Sequence, residues 1–160
     1  MEIALFEPRI PQNTGNIARS CAAFNITLNL IEPLGFKLED KYLKRAGLDY
    51  WPLVTINTYE NFDKFIEAKS TKRIISFSKK NGLYLNDFKF QEDDVLLFGR
   101  EDSGLPDSII DKSDFLISIF MPNIQTGNND QKGVRSLNLS VAVGIAIYEA
   151  NKQINSQNGN

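Results

Sequence analysis

The sequence predicts an α/β domain with a mainly parallel sheet and helices on both faces, and three observations carry that expectation. Short apolar runs rich in Ile, Val, Leu and Phe recur at residues 3–6, 26–31, 73–77, 95–98 and 115–119. Between them lie stretches with apolar residues at helical spacing, separated by connections rich in Gly, Pro and polar residues. The chain has 160 residues, 42% of them hydrophobic, which at roughly 150 residues per domain provides one core. Alternation of this kind builds layered folds, because parallel strands need crossover segments that then cover the sheet.

Taken in order, residues 3–6 are apolar and lie close to Pro8 and Pro11, which suits a buried strand and a turn. A helix is expected over 13–25, with Asn13 and Thr14 offering cap side chains and Ile17, Ala18, Cys21, Ala22 and Phe24 at helical spacing. Residues 26–31 read as the second strand, ended by Pro33 and Gly35. A helical stretch over 39–47, with Leu38, Tyr42 and Leu43 on one side, a brief strand over 53–56 and an amphipathic helix over 59–68 follow. Strands at 73–77 and 95–98 each lead into a Gly-containing loop, and 115–119 is a sixth strand. Residues 136–151 close the fold as a helix, capped by Ser136, with Leu137, Val141, Ile145 and Tyr148 as its apolar stripe. Residues 122–133 contain one aliphatic side chain and read as a surface loop; 153–160 read as a disordered polar tail beyond a single domain over 1–152.

Composition removes several chemistries. There is no histidine and Cys21 is the lone cysteine, so Ser-His-Asp and Cys-His catalysis, disulfides and the usual zinc sites are excluded, and no metal is expected. The formal charge of -2 and pI of about 5.2 do not advertise nucleic acid, so any such binding needs a local basic patch. The N-terminus carries Glu2 where a signal peptide wants lysines, and the longest apolar run, 141–148, falls well below the ~18 residues of a membrane span, so a cytoplasmic protein is expected.

Ligands of parallel α/β sheets bind beyond the carboxyl ends of the strands, and the segments there divide the chemistry among them. The first is Asn13-Thr14-Gly15-Asn16-Ile17-Ala18-Arg19, a polar helix entrance with an arginine further along. Free N–H groups there suit an anion, and Arg19 can add a guanidinium fork; taken by itself the segment is better read as a plain cap with a surface arginine. The second is Phe98-Gly99-Arg100-Glu101 with Gly104-Leu105-Pro106, two glycines bracketing charges as in a tight turn that approaches a ligand. Leu105-Pro106 stands where a Walker A loop requires Lys-Ser/Thr, and no GxGxxG occurs, so a P-loop NTPase is excluded. The third is Arg135-Ser136-Leu137-Asn138-Leu139-Ser140, small polar residues opening the last helix.

Together, and in this order, these segments resemble the three motifs of SPOUT-class RNA 2'-O-ribose methyltransferases. Ile31-Glu32-Pro33-Leu34-Gly35-Phe36 and Arg45-Ala46-Gly47-Leu48-Asp49-Tyr50 are similar to the TrmL (YibK-type) branch, and the resemblance covers about residues 2–150. It implies a homodimer with a C-terminal trefoil knot that binds S-adenosylmethionine. It further implies methylation of the wobble nucleotide, cytidine or modified uridine at position 34, in a tRNA anticodon stem-loop. By position the resemblance assigns cofactor binding to Phe77, Gly99, Glu101, Ile119, Met121, Ser136 and Leu137, and catalysis to Arg19, Asn138 and Ser136. Arg19 is then either base-like, which a pKa above ~12 makes awkward, or a phosphate ligand that acidifies the hydroxyl electrostatically. The link from the sixth strand to the third motif departs from the family, with Phe120 preceding Pro122 and a polar stretch lengthening it to Arg135.

Two basic clusters offer RNA contacts: Lys69, Lys72, Arg73, Lys79 and Lys80, and Lys37, Lys41, Lys44 and Arg45. Ala142, Gly144 and Ala146 are small enough for close packing of the last helix, against this chain or a partner. A related enzyme acting on another RNA, or a non-catalytic RNA- or cofactor-binding module, remains as an alternative.

Overall fold

The computed structural model describes residues 1–38, 50–79, 82–122 and 133–157. Among them β1 (Glu2–Phe6), β2 (Thr27–Ile31), β3 (Ile56–Tyr59), β4 (Ile74–Phe77), β5 (Leu83–Tyr84), β6 (Val95–Phe98) and β7 (Phe115–Ser118) form one sheet. Its order is β3-β2-β1-β6-β4-β7-β5, with every neighbouring pair parallel. The helices are α1 (Pro11–Ala23), α2 (Phe62–Ala68), α3 (Asp107–Ile110) and α4 (Leu139–Gln157), with a 3-10 turn at Trp51–Leu53.

Side-chain alternation along the strands sorts the core into two layers. Ile3 and Leu5 of β1, Leu28 and Leu30 of β2, and Leu96 and Phe98 of β6 face α1 and α4, where they meet Ile17, Ala18, Cys21, Val143, Ala146, Ile147 and Ala150. Ala4, Phe6, Ile31, Val95 and Leu97 face the other way onto Phe62 and Phe65 of α2 and Ile109 of α3. Both layers are close to dry, and each fully buried Ile, Leu or Phe contributes about 1.5–3 kcal/mol. Burial also pushes the Cys21 thiol up to about 12.

Charge is concentrated at the N-terminal edge of the sheet. Asp94, fully buried before β6, takes Arg73 Nε and Nη2 at 2.7 and 2.8 Å and the Gln91 N–H at 2.8 Å. Glu2 accepts from Lys69 Nζ and Lys72 Nζ, both at 2.6 Å, and from Asn29 Nδ2 at 2.7 Å. Burial alone would raise the Glu2 carboxyl, but these hydrogen bonds overcome it and hold its pKa at about 2.

Several expected boundaries move. α1 starts at Pro11, whose fixed φ and missing N–H suit a first helical turn, so Asn13 and Thr14 lie inside the helix and neither caps it. Pro52 holds residues 51–53 in a 3-10 turn, which shifts the expected 53–56 strand to β3. α2 starts at Phe62, where Asn61 Oδ1 accepts the Lys64 N–H at 2.9 Å, rather than at residue 59. The two-residue strand β5 was not expected.

The last helix departs further. It begins at Leu139 with Asn138, not Ser136, supplying the cap: Asn138 Oδ1 accepts from Ser140 N and Oγ at 2.9 and 2.7 Å. It continues to Gln157, so residues 153–157 of the tail expected to be disordered are helical. Ile154 packs on the core, and Gln153 Oε1 accepts the Phe90 N–H at 3.3 Å. The inward stripe is Val143, Ala146, Ile147 and Ala150, whereas Val141, Ile145 and Tyr148 are exposed. Apolar residues surround this helix, so periodicity alone could not choose its face. Ala146 therefore packs within the chain, and a Cβ on Gly144 would meet nothing within 4 Å. The expected 39–47 helix, Lys41, Lys44, Arg45, Lys80, most of the 122–133 loop and residues 158–160 lie outside the described residues.

Candidate functional site

Strand order reverses beside β1, with β2 and β3 on one side and β6 and β4 on the other. In open parallel sheets, the crevice beyond the strand ends at such a point is where ligands bind. The chain leaves β1 through Glu7, at a φ of +47°, whose carboxylate pairs with Arg100 and Arg9. It leaves β6 through Gly99, where Arg100 and Gly104 form an antiparallel bridge.

At this crevice the three separated segments are tied together by one chain of hydrogen bonds. Glu101 accepts the backbone N–H groups of Arg9 at 2.8 Å and Ile10 at 3.2 Å, and Nδ2 of Asn13 at 3.2 Å. Asn138 Nδ2 in turn donates to Asn13 Oδ1 at 3.0 Å. The Glu101 carboxylate thus sits at the entrance of α1, where free N–H groups favour negative charge. It does the capping work that sequence reasoning gave to Asn13 and Thr14.

Beside this chain lies a cleft of about 180 Å³. Phe77, Gly99, Glu101, Ile119, Met121, Ser136 and Leu137 all line it, together with Ser78, Lys79, Arg100, Leu139 and Ala142, among others. The Phe77 and Phe98 rings, at the ends of β4 and β6, stack at 4.5 Å between centroids and both border the cleft. A Cβ on Gly99 would fall 2.2 Å from the Gly104 carbonyl carbon, so the two ends of the loop touch backbone to backbone. Gly104 holds a φ of +74°, which glycine adopts without strain.

Arg19 and Asn138 stand apart from the lining. Arg19 is exposed on α1, its guanidinium 4.6 Å from the centre of the Tyr50 ring, and six residues beyond Asn13, about 9 Å along the helix axis. Asn138 lies between the lining residues Leu137 and Leu139 and bonds Asn13. Two buried polar atoms lack partners among the described residues, Thr14 Oγ1 and Arg100 Nε. Sequence reasoning passed over Arg100 as a lining residue, although it stands in the same glycine-bracketed segment as Glu101.

The basic cluster expected to contact RNA is largely engaged elsewhere. Lys69 and Lys72 are held by Glu2 and Arg73 by Asp94, acids remote in sequence, at the edge of the sheet opposite the cleft. Lys79 is exposed at the cleft and pairs with no acid among the described residues. No group of His, Cys, Asp or Glu able to hold a metal occurs among the described residues, nor any helix long and apolar enough to cross a membrane.

A parallel α/β sheet with a cleft at its strand ends, lined by the second and third segments and tied by hydrogen bonds to the first, defines a class, and comparison with known proteins gives it a name. Residues 1–148 match the SpoU rRNA Methylase family, and the chain belongs to it. It is 41% identical to a putative tRNA (cytidine(34)-2'-O)-methyltransferase of Synechocystis, over 98% of each chain. It is 38% identical to the Escherichia coli K12 tRNA (cytidine(34)-2'-O)-methyltransferase, over 96% of this chain and 94% of that one. A solved structure addressing the 2-OH methylation of C/U34 on tRNA superposes with a TM-score of 0.88 at 44% identity, covering 97% of this chain and 96% of that one. The Streptomyces viridochromogenes methyltransferase AviRb shares the fold, with a TM-score of 0.85 at 20% identity over 98% of this chain and 60% of that one.

Proposed function

We propose that this chain is an S-adenosylmethionine-dependent tRNA 2'-O-methyltransferase acting on the ribose of the wobble nucleotide, cytidine or modified uridine at position 34. The observation that carries the reading is the Glu101–Asn13–Asn138 chain, which joins three segments remote in sequence beside one cleft. Family membership and near-full-length similarity to wobble-position methyltransferases support it.

The cleft fits the cofactor. Its aromatic pair and the side chains of Ile119, Met121, Leu137 and Leu139 suit an adenine, while the backbone-lined loop 99–104 offers polar groups at short range. When bound, S-adenosylmethionine supplies an already activated methyl group. The protein must then bring a ribose 2'-oxygen into line and let its proton leave. Arg19 serves as a cation beside the reacting nucleotide, holding its phosphate and stabilising the developing oxyanion. Ser136 orients the ribose, and Asn138 keeps the third segment in register with Asn13.

The same reading includes a C-terminal trefoil knot, a single methyltransferase domain and work in the cytoplasm on the anticodon stem-loop. It also includes a homodimer. Val141, Ile145 and Tyr148 form an exposed apolar stripe on α4, 50%, 39% and 62% accessible, which suits a second copy.

The test is Arg19→Ala. Methyl transfer to tRNA should fall by roughly 10²-fold or more, the scale of losing one preorganised oxyanion donor. S-adenosylmethionine binding should persist, since Arg19 does not line the cleft. Nucleoside mass spectrometry of tRNA from cells lacking the protein should show 2'-O-methylation missing at position 34. Unchanged transfer by the variant would refute the role of Arg19, and intact position 34 would direct the reading to another RNA.

A further inference from the structure

An exposed aromatic pair sits at the free edge of the sheet, next to the cleft. Tyr84 of β5 is 49% and Phe120 62% accessible; their ring centroids are 5.7 Å apart and their planes cross at 89°. β5 is the edge strand and pairs with β7, so that Tyr84 stands opposite Ser118, two residues before Phe120. The Leu85 N–H donates to the Ser118 carbonyl at 2.9 Å and fixes that register. Ile119 and Met121 line the cleft while Phe120, between them, does not, as alternation along an extended chain dictates.

Single exposed apolar residues are ordinary, but a cluster bordering a ligand cleft marks an interaction surface. Two rings at right angles form a notch in which a flat partner can stack on one face and meet the other edge-on. Lys79 adds a positive charge on the cleft lining, unpaired among the described residues. Stacking rings at the margin of a cleft that carries a cation fit single-stranded nucleic acid, in which every base offers a π-face and every nucleotide a phosphate. Bringing a loop ribose into a cleft also disrupts its stack, and aromatic side chains take up base faces freed in this way.

We propose that Tyr84 and Phe120 form a stacking platform for an unpaired nucleobase adjacent to the nucleotide being methylated. This rests on the RNA methyltransferase reading above and adds to it a positioning surface outside the three motifs.

The test uses the full chain with S-adenosylmethionine and an anticodon stem-loop RNA carrying 2-aminopurine on either side of position 34. Wild type should quench one of the two probes on binding. Tyr84→Ala and Phe120→Ala should each relieve that quenching and raise KM for the RNA about tenfold, within the range of one lost base–aromatic stack, with the effect on KM rather than kcat. Affinity for S-adenosylmethionine should hold. Phe120→Trp and Tyr84→Phe should retain RNA affinity whereas Phe120→Leu should not, which separates stacking from simple apolar packing. Active wild type with no quenching and no change of KM in the variants would overturn the platform alone. A matching loss of cofactor affinity would reassign the pair to the cofactor wall, and a change of oligomeric state without loss of RNA affinity would reassign it to a second copy; either overturns the proposal. Wild type that neither binds nor methylates any RNA would overturn the platform and the functional reading together.

Discussion

The two edges of the sheet solve the same electrostatic problem in opposite ways. At the N-terminal edge a partly buried and a fully buried carboxylate are closed off by cationic side chains: Glu2 by Lys69 and Lys72, Asp94 by Arg73. At the C-terminal edge Glu7 is also paired, with Arg100 and Arg9, but Glu101 is satisfied by backbone N–H groups and one amide, while Arg100 Nε and Thr14 Oγ1 lack partners among the described residues. Ion pairs closed within the chain leave little capacity for a ligand, and breaking one strands a buried charge. A carboxylate held by neutral donors, as Glu101 is, uses up no cation, and Arg19 and Lys79 pair with no acid among the described residues. Stability is therefore concentrated at one edge and chemistry at the other.

Substitutions at the two edges should separate these roles. Gly99→Ala has the largest expected effect, because its Cβ would meet the Gly104 and Leu105 backbone at 2.2 and 2.3 Å and must move the loop. Transfer should fall by about 10²-fold, the scale of ångström misplacement in a reacting site, read by single-turnover methylation, with calorimetry showing weakened cofactor binding. Asp94→Ala should do the reverse, costing about 3 kcal/mol by stranding Arg73 and lowering the melting temperature by roughly 6–12 °C, while the remaining folded protein binds cofactor normally. If Asp94→Ala weakens cofactor binding at a temperature where it is fully folded, the division of labour fails.

Glu2→Gln probes the same edge through pH. The Glu2 pKa of about 2 lies below its ordinary value of 4.5, so its contribution is fully present above about pH 4.5 and is lost as the pH falls towards 2. Wild type should lose denaturant resistance across that window more steeply than the variant, and parallel curves would remove the ionic account. The smallest expected effect is that of Lys79→Ala, a two- to threefold rise in KM for RNA with the salt slope reduced by about 1.

Much of the layered fold is legible in the sequence because strand and helix periods are local. The alternation of Ile3 and Leu5 with Ala4 and Phe6 already encodes the two faces of the sheet. What escapes is non-local. Nothing near Pro11 indicates that its helix is capped by Glu101, some ninety residues away. The inward face of α4 is hidden by apolar residues all round it, and β5 is too short to leave a pattern. The cleft lining was legible through the family resemblance rather than through periodicity, and the residues that the resemblance assigns fall at strand ends: Phe77 ends β4, Gly99 follows β6 and Ile119 follows β7. Engagement of Lys69, Lys72 and Arg73 by distant acids could not be read from a segment that contains no acid of its own.

The lone thiol of Cys21 offers a practical handle. Fully covered and with its pKa pushed up to about 12, it presents almost no thiolate near neutral pH while the chain is folded. An alkylating reagent should therefore modify the protein only as fast as the interface between α1 and α4 comes apart, making the rate of labelling a clock for native-state opening.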